Sequence, residues 1–391
     1  MIPRDAGVHL STLARYYPVV TVTGPKQSGK TTLCRATFPK LPYVSLEPLD
    51  LRESAVADPR GFLAQYPGGA IIDEVQRAPA LPSYLQKEVD ARPAPGRFIL
   101  TGSQHLAVST SVGQSLAGRT GLLELFPPSW SELKRFPSAP RDLFEVLWTG
   151  SYPRIFDRHI PAHQWLADYV ATYVERDVRE MVKVGDLRTF TNFVRLCAGR
   201  TAAEVNLSRL GADAGVSHNT AKAWLSILEA SYLVFRLSAW HPNFRKQVIK
   251  APKLHFVDTG LASYLLGIRE PDQLRTHPLR GALFETWVAS EVMKQAAHRG
   301  ERAPLFHYRD ARGLEVDLVS ETASGWLLTA AKSGATVAGD FTQAVDQLAA
   351  SARAGGAHPA VASRVIYGGA LRQSRHGTDI VPWSEIDTLT W

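Results

Sequence analysis

From the amino end, hydrophobic positions come first as short continuous runs, at residues 18–23, 42–46, 70–74, 97–103 and 122–125, separated by stretches of helical spacing. Runs of that length suit strands buried on both faces, so residues 1–135 are expected to form an α/β domain on a doubly wound parallel sheet. Residues 136–270 read as a helical domain. Within it, 165–178 is amphipathic, with Trp165, Tyr169 and Tyr173 near one face. Residues 207–214, a Gly215-Val216 turn and a helix from His218 to Ala230 capped by Ser217 form a helix–turn–helix pattern. Ala221, Trp224, Leu225 and Leu228 make the inward stripe of its second helix. The run 232–237 then fits the strand of a winged helix. Beyond Pro271 and Pro278, residues 271–391 mix the two periods. A helix is expected at 281–292, strands at 306–309, 314–319 and 326–334, and a helix at 341–350.

One stretch carries clear chemistry. Gly24, Pro25, Lys26, Gln27, Ser28, Gly29, Lys30 and Thr31 read G-x-x-x-x-G-K-T, and Thr32 opens the helix that follows. Glycines let backbone N–H groups turn inward around an anion, and the helix end adds partial positive charge. Lys30 can reach β- and γ-phosphates and the Thr31 hydroxyl can ligate Mg²⁺, so ATP and Mg²⁺ are the expected ligands. The run 70–74 ends in Asp73 and Glu74. Asp73 would hold the metal through water, and Glu74 would orient the attacking water. After the next strand, Thr101, Ser103 or Gln104 would sense the γ-phosphate, or the Gly102-Ser103 pair simply turns the chain. Arg119 would stabilise transition-state charge from its own subunit or from a neighbour, or is a surface arginine. The neighbour case implies a homo-oligomer.

Composition changes this picture little. The chain has 391 residues, 45% hydrophobic and 21% charged, as globular proteins do. Its net charge of +7 is compatible with nucleic acid. Two basic features suit DNA, with RNA not excluded. His218, Asn219 and Lys222 start the second helix of the helix–turn–helix and face away from its stripe, though such modules also serve as packing units. Residues 243–253 are the most basic local run and include Arg245 and Lys246, fit to track a phosphate backbone or equally to be a solvated loop. Two cysteines, Cys34 and Cys197, form no disulfide framework. With no secretory pattern and no membrane-length apolar run, a cytoplasmic protein is expected.

The carboxyl-terminal order of helix, hairpin, strand and helix resembles the core of restriction-endonuclease-like folds. Their site carries a helix Glu, a strand Asp and an E-x-K on the next strand, with two carboxylates on Mg²⁺ and the lysine helping to activate water. Glu285, Asp317 and Lys332 are in register with that pattern, while Ala330 stands at the position of the E-x-K acid. Almost the whole chain resembles a large prokaryotic family of AAA-like ATPases with a carboxyl-terminal domain of unknown function. The matching stretches are 24–32 (GPKQSGKTT), 71–76 (IIDEVQ), 100–103 (LTGS), 115–119 (SLAGR), 250–261 (KAPKLHFVDTGL), 281–291 (GALFETWVASE) and 315–332. The resemblance implies ATP binding, a winged helix after the ATPase core and a PD-(D/E)xK-like end, with Glu285 and Asp317 as its metal ligands. Ala330 departs from it, so nuclease activity is not expected to survive intact.

Overall fold

The amino-terminal apolar runs form five strands: β1 (Val19–Thr23), β2 (Tyr43–Ser45), β3 (Ala70–Asp73), β4 (Phe98–Gly102) and β5 (Thr120–Glu124). All pair in parallel, in the order β2-β3-β4-β1-β5. Neighbouring residues on a strand face opposite ways, and both faces are covered. Val20, Val22, Ile71 and Ile99 pack with Ala6 and Leu10 of the Ala6–Tyr16 helix and Leu33 of the Lys30–Thr37 helix. Val19, Ile72 and Leu100 pack on the other side with Leu81 and Leu85 of the Leu81–Ala91 helix. Each fully buried aliphatic side chain contributes about 1.5–3 kcal/mol. This sheet is the doubly wound α/β layer expected from the runs.

The computed structural model describes residues 2–103, 115–178, 187–240, 251–301, 304–322, 325–354 and 360–391. It divides into two units. The first is Met1–Pro128 with Ala230–Tyr232 and Ala297–Glu301, and the second holds the rest.

The second unit has one nine-stranded mixed sheet. Its strands are β6 (Ala203–Glu204), β7 (Val234–Ala239), β8 (Lys253–Phe256), β9 (Leu305–Arg309), β10 (Glu315–Thr322), β11 (Gly325–Lys332), β12 (Ala360–Tyr367), β13 (Gln373–Arg375) and β14 (Thr378–Pro382). The order is β13-β14-β12-β11-β10-β9-β7-β8-β6. The helix pair lies where its pattern places it. Asn206 accepts from Arg209 N to cap Leu207–Ala214, and Gly215 turns left-handed at φ 72. Ser217 Oγ accepts from Thr220 N at 3.1 Å to open His218–Ala230. The Trp165 segment is α-helical over Ala162–Tyr169 and continues in π geometry over Val170–Val178. Its three aromatics are buried, as expected.

The division expected between residues 270 and 271 falls inside this unit, because β7 pairs in parallel with β9 through Ser238↔Phe306. A buried polar network also crosses it. Asp258 accepts from Leu261 N at 3.0 Å and from Ser151 N at 2.7 Å. Lys294 Nζ donates to Ser151 Oγ at 2.9 Å and to Glu291 at 3.0 Å, and Glu291 accepts from Trp130 N at 2.6 Å. Gly150 is required there, since a Cβ would lie 2.2 Å from Asp258 Oδ1.

Candidate functional site

The phosphate loop sits between β1 and the Lys30–Thr37 helix. Gly24 has φ 144, and a Cβ on it would lie 2.1 Å from the Leu125 carbonyl oxygen. Gly29 has φ 97 and ends the turn at the helix start. No side chain but hydrogen fits the first position, and both favour glycine conformationally. Lys30 is 6% exposed, and its Nζ donates to the carbonyls of Gly24 at 3.0 Å and Pro25 at 2.8 Å. Burial pushes its ammonium down to about 8, outweighing the opposite pull of Glu74 and Asp73. Ser28 Oγ is buried without a hydrogen-bond partner among the described residues. Gln27 and Thr32 are exposed and Lys26 half-buried.

Strand order decides which side chains meet this loop. β3 ends at Asp73, whose carboxylate accepts from Thr31 Oγ1 at 3.0 Å, from the Tyr43 hydroxyl at 2.8 Å and from Thr101 Oγ1. Thr31, Asp73 and Thr101 are thus brought together as the sequence suggests. Burial and the bond to Asp73 push the Tyr43 phenol up to about 12, so it stays a donor. Glu74 adopts φ 58, and its carboxylate accepts from Ser103 Oγ at 3.1 Å and from Gln76 Nε2. Gln76 Nε2 also donates to Ser103 Oγ at 3.2 Å. Both Walker-type acids therefore lie at the carboxyl end of β3, with Asp73 bonded to the loop's threonine.

Arg119 does not join them. It precedes β5, level with Val19 at the opposite end of β1 from the loop, since Val19 N bonds to its carbonyl. Five strand residues separate the two ends, roughly 13 Å at the rise of a β-strand. Its guanidinium is paired with Asp90 at 2.6 and 2.9 Å. That placement leaves Arg119 away from its own subunit's loop. Gln104 lies outside the described residues.

Four residues around the loop and its acids escaped the sequence reading. Arg4 donates to Ser28 O at 2.9 Å and to Phe126 O at 2.7 Å. Tyr232 donates to Thr23 Oγ1 at 2.8 Å and to Glu124 at 3.1 Å, at the end of β1 that enters the loop. Gln76 was in plain view, two residues past Glu74. Tyr43 and Tyr232 had no local signal, because only the fold brings them there.

Elsewhere the expected residues separate into three groups. His218, Asn219 and Lys222 are exposed at the start of their helix. Arg245 and Lys246 lie outside the described residues. Glu285, on the Arg280–Arg299 helix, and Asp317, on β10, do converge, but on Lys253. Its Nζ lies 2.6 Å from Glu285, 2.5 Å from Glu315 and 3.8 Å from Asp317. Ala330 is 2% exposed in an apolar cluster with Val345, Leu348 and Val365, and Lys332 is half-buried. Among the described residues no group of three or more His, Cys, Asp or Glu side chains is placed to hold a metal ion. No helix described is long and apolar enough to cross a membrane.

Comparison with known proteins agrees with the first unit's geometry. An AAA domain model matches residues 16–134. Domains of unknown function match residues 140–272 (DUF8612) and 280–386 (DUF4143). Among solved structures, the Walker-type ATPase of Pyrococcus abyssi aligns at 15% identity with a TM-score of 0.45, covering 67% of this chain and 94% of that one. Uncharacterized proteins of Mycobacterium tuberculosis and Mycobacterium bovis are each 31% identical over 327 residues, 81% of this chain and 71% of theirs. The chain belongs to the family of these mycobacterial proteins, and its amino-terminal unit is an AAA-like P-loop ATPase domain.

Proposed function

We propose that the chain is a Mg²⁺-dependent ATPase that works as a switch or motor on nucleic acid. The observation that carries this is the convergence of Lys30, Thr31, Asp73 and Glu74 at one end of the parallel sheet. Lys30 would bind the β- and γ-phosphates, exchanging two carbonyl acceptors for charged oxygens. The buried Ser28 hydroxyl suits the same anion. Thr31 and Asp73 offer hard oxygen donors 3.0 Å apart, a fit to Mg²⁺, which would neutralise charge on the phosphates when bound. Tyr43 and Thr101 orient the Asp73 carboxylate. Glu74 would accept a proton from the attacking water once its carboxylate turns from Gln76 and Ser103.

Nucleic acid enters through the second unit. The order of helix, β6, two helices, then the β7–β8 hairpin supports the winged-helix reading, with His218, Asn219 and Lys222 exposed to a groove. The helix, β9, β10, β11, helix, β12 order supports a restriction-endonuclease-like scaffold for the end of the chain. A second reading, an ATP-gated binder with negligible turnover, is favoured by the restraint on Glu74. Measuring ATP turnover and DNA affinity together, with ATP or ADP, decides between them. Intact turnover in Lys30→Ala would overturn the ATPase assignment. Nucleotide-dependent DNA affinity without turnover would favour the gated binder.

A further inference from the structure

The acids of the second unit present a chemical problem that the ATPase reading does not touch. Glu285, Glu315 and Asp317 carry three carboxyl groups into one half-closed space, on the Arg280–Arg299 helix and on β10. Endonuclease-like sites solve such crowding with a divalent cation held by carboxylate oxygens at about 2.0–2.6 Å. Here the space is already filled. Lys253, at the start of β8, is 1% exposed, and its Nζ reaches Glu285 Oε1 at 2.6 Å, Glu315 Oε1 at 2.5 Å and Asp317 Oδ1 at 3.8 Å. An ammonium has three donors and no acceptor, so two close carboxylates and one further off use most of its capacity. The other Asp317 oxygen is also engaged, accepting from Ala331 N at 2.8 Å. Arg309 adds a second cation at 3.7 Å from Glu315. The third acid of an E-x-K pattern is absent, and the position it would occupy, Ala330, is packed among Val345, Leu348 and Val365. The residues present therefore do not fit a metal centre.

We propose that Lys253 is the permanent cation of this acid cluster, standing where a divalent metal would sit and clasping β8 to β10 and to the Arg280–Arg299 helix. The cluster is then an ionic joint with no hydrolytic chemistry. Electrostatics agree with the geometry. Against the cost of burial, Glu285, Asp317 and Glu315 hold the Lys253 ammonium above its usual range. Burial, with Asp317 beside it, pushes the Glu285 carboxyl up to about 8 against the opposite pull of Lys253. The inference goes beyond the ATPase reading and stands if that reading fails.

The test is Mn²⁺ binding to the full chain without nucleotide, followed by electron paramagnetic resonance. Wild type and Glu285→Gln/Asp317→Asn are expected to bind the same amount, because any Mn²⁺ at the phosphate loop is common to both. Lys253→Met is expected to gain a Mn²⁺ site that adding Asp317→Asn removes, and Mn²⁺ should raise its melting temperature. Extra Mn²⁺ in wild type that the double variant loses would overturn the proposal. So would a folded Lys253→Met that gains no site, or Mn²⁺-dependent nicking of DNA by wild type that Asp317→Asn abolishes. Should Lys253→Met fail to fold, the wild-type comparison still decides.

Discussion

Lys30 and Lys253 are both nearly sealed from solvent, 6% and 1% exposed, one in each unit. Their surroundings differ in kind. Lys30 donates to two uncharged carbonyls and is held down to about 8 by burial. Lys253 donates to carboxylates, which hold its proton firmly. The first charge is under-compensated, which raises the free energy of the empty loop and favours an arriving anion. The second is compensated within the chain, so it has nothing left to offer a ligand. A buried lysine therefore reads as a binding group or as a structural one according to what already neutralises it, and burial alone does not separate the two.

The comparison breaks most visibly at Lys253. Lys253→Met leaves crowded acids without their cation and should cost about 3–5 kcal/mol, seen as a lower urea midpoint. Lys30→Met should do the opposite to the two properties. ATP turnover should fall by about 10²-fold or more, while the melting temperature holds or rises, because a desolvated ammonium is gone. Equal destabilisation in both variants would erase the distinction.

Acidity sharpens it further. ATP binds the protonated form of Lys30, so affinity should be full below about pH 8 and fall as pH rises beyond it. The loss should reach up to about tenfold per pH unit, measured by titration calorimetry, and be absent in Lys30→Met. Folding responds with the other sign. An unfolded lysine titrates near 10.5, so the cost of burying this one is fully present below about 8 and is relieved toward 10.5. The smallest expected effect is at Gln76. If it restrains Glu74, Gln76→Ala should raise turnover a few-fold, about 1 kcal/mol. A fall would mean that Gln76 positions Glu74 for the reaction.

The parallel sheet and the loop were legible because their signals are contiguous: five apolar runs, and eight residues in a row from Gly24 to Thr31. Pairs such as Asp73 with Thr31 were legible too, since strand ends and helix starts meet predictably in such folds. Tyr43, Arg4 and Tyr232 were not, because each reaches the loop through tertiary placement. Arg119 shows the reverse case. Its residue type suited catalysis, but strand direction puts it at the far end of β1 from its own loop, which leaves the surface-arginine and neighbouring-subunit alternatives. Lys253 closes a basic run that reads as tracking phosphates or, equally, as a solvated loop. The signal against both for Lys253 was its position, directly after Pro252 in the strand Lys253–Phe256, where every residue is buried. The break expected near Pro271 lies where the two family matches meet, but proline marks a turn and says nothing about which strands later pair across it, as β7 and β9 do.

That pairing has a consequence for inheritance. Two sequence families, 140–272 and 280–386, share one ladder through β7 and β9. A gene truncated between them would give a protein whose β7 exposes the amides and carbonyls that otherwise pair with β9, an invitation to fibrillar self-association. Recombination that shuffles one family without the other would carry the same penalty. The sheet of the nucleotide-binding module, by contrast, is separate and complete without either.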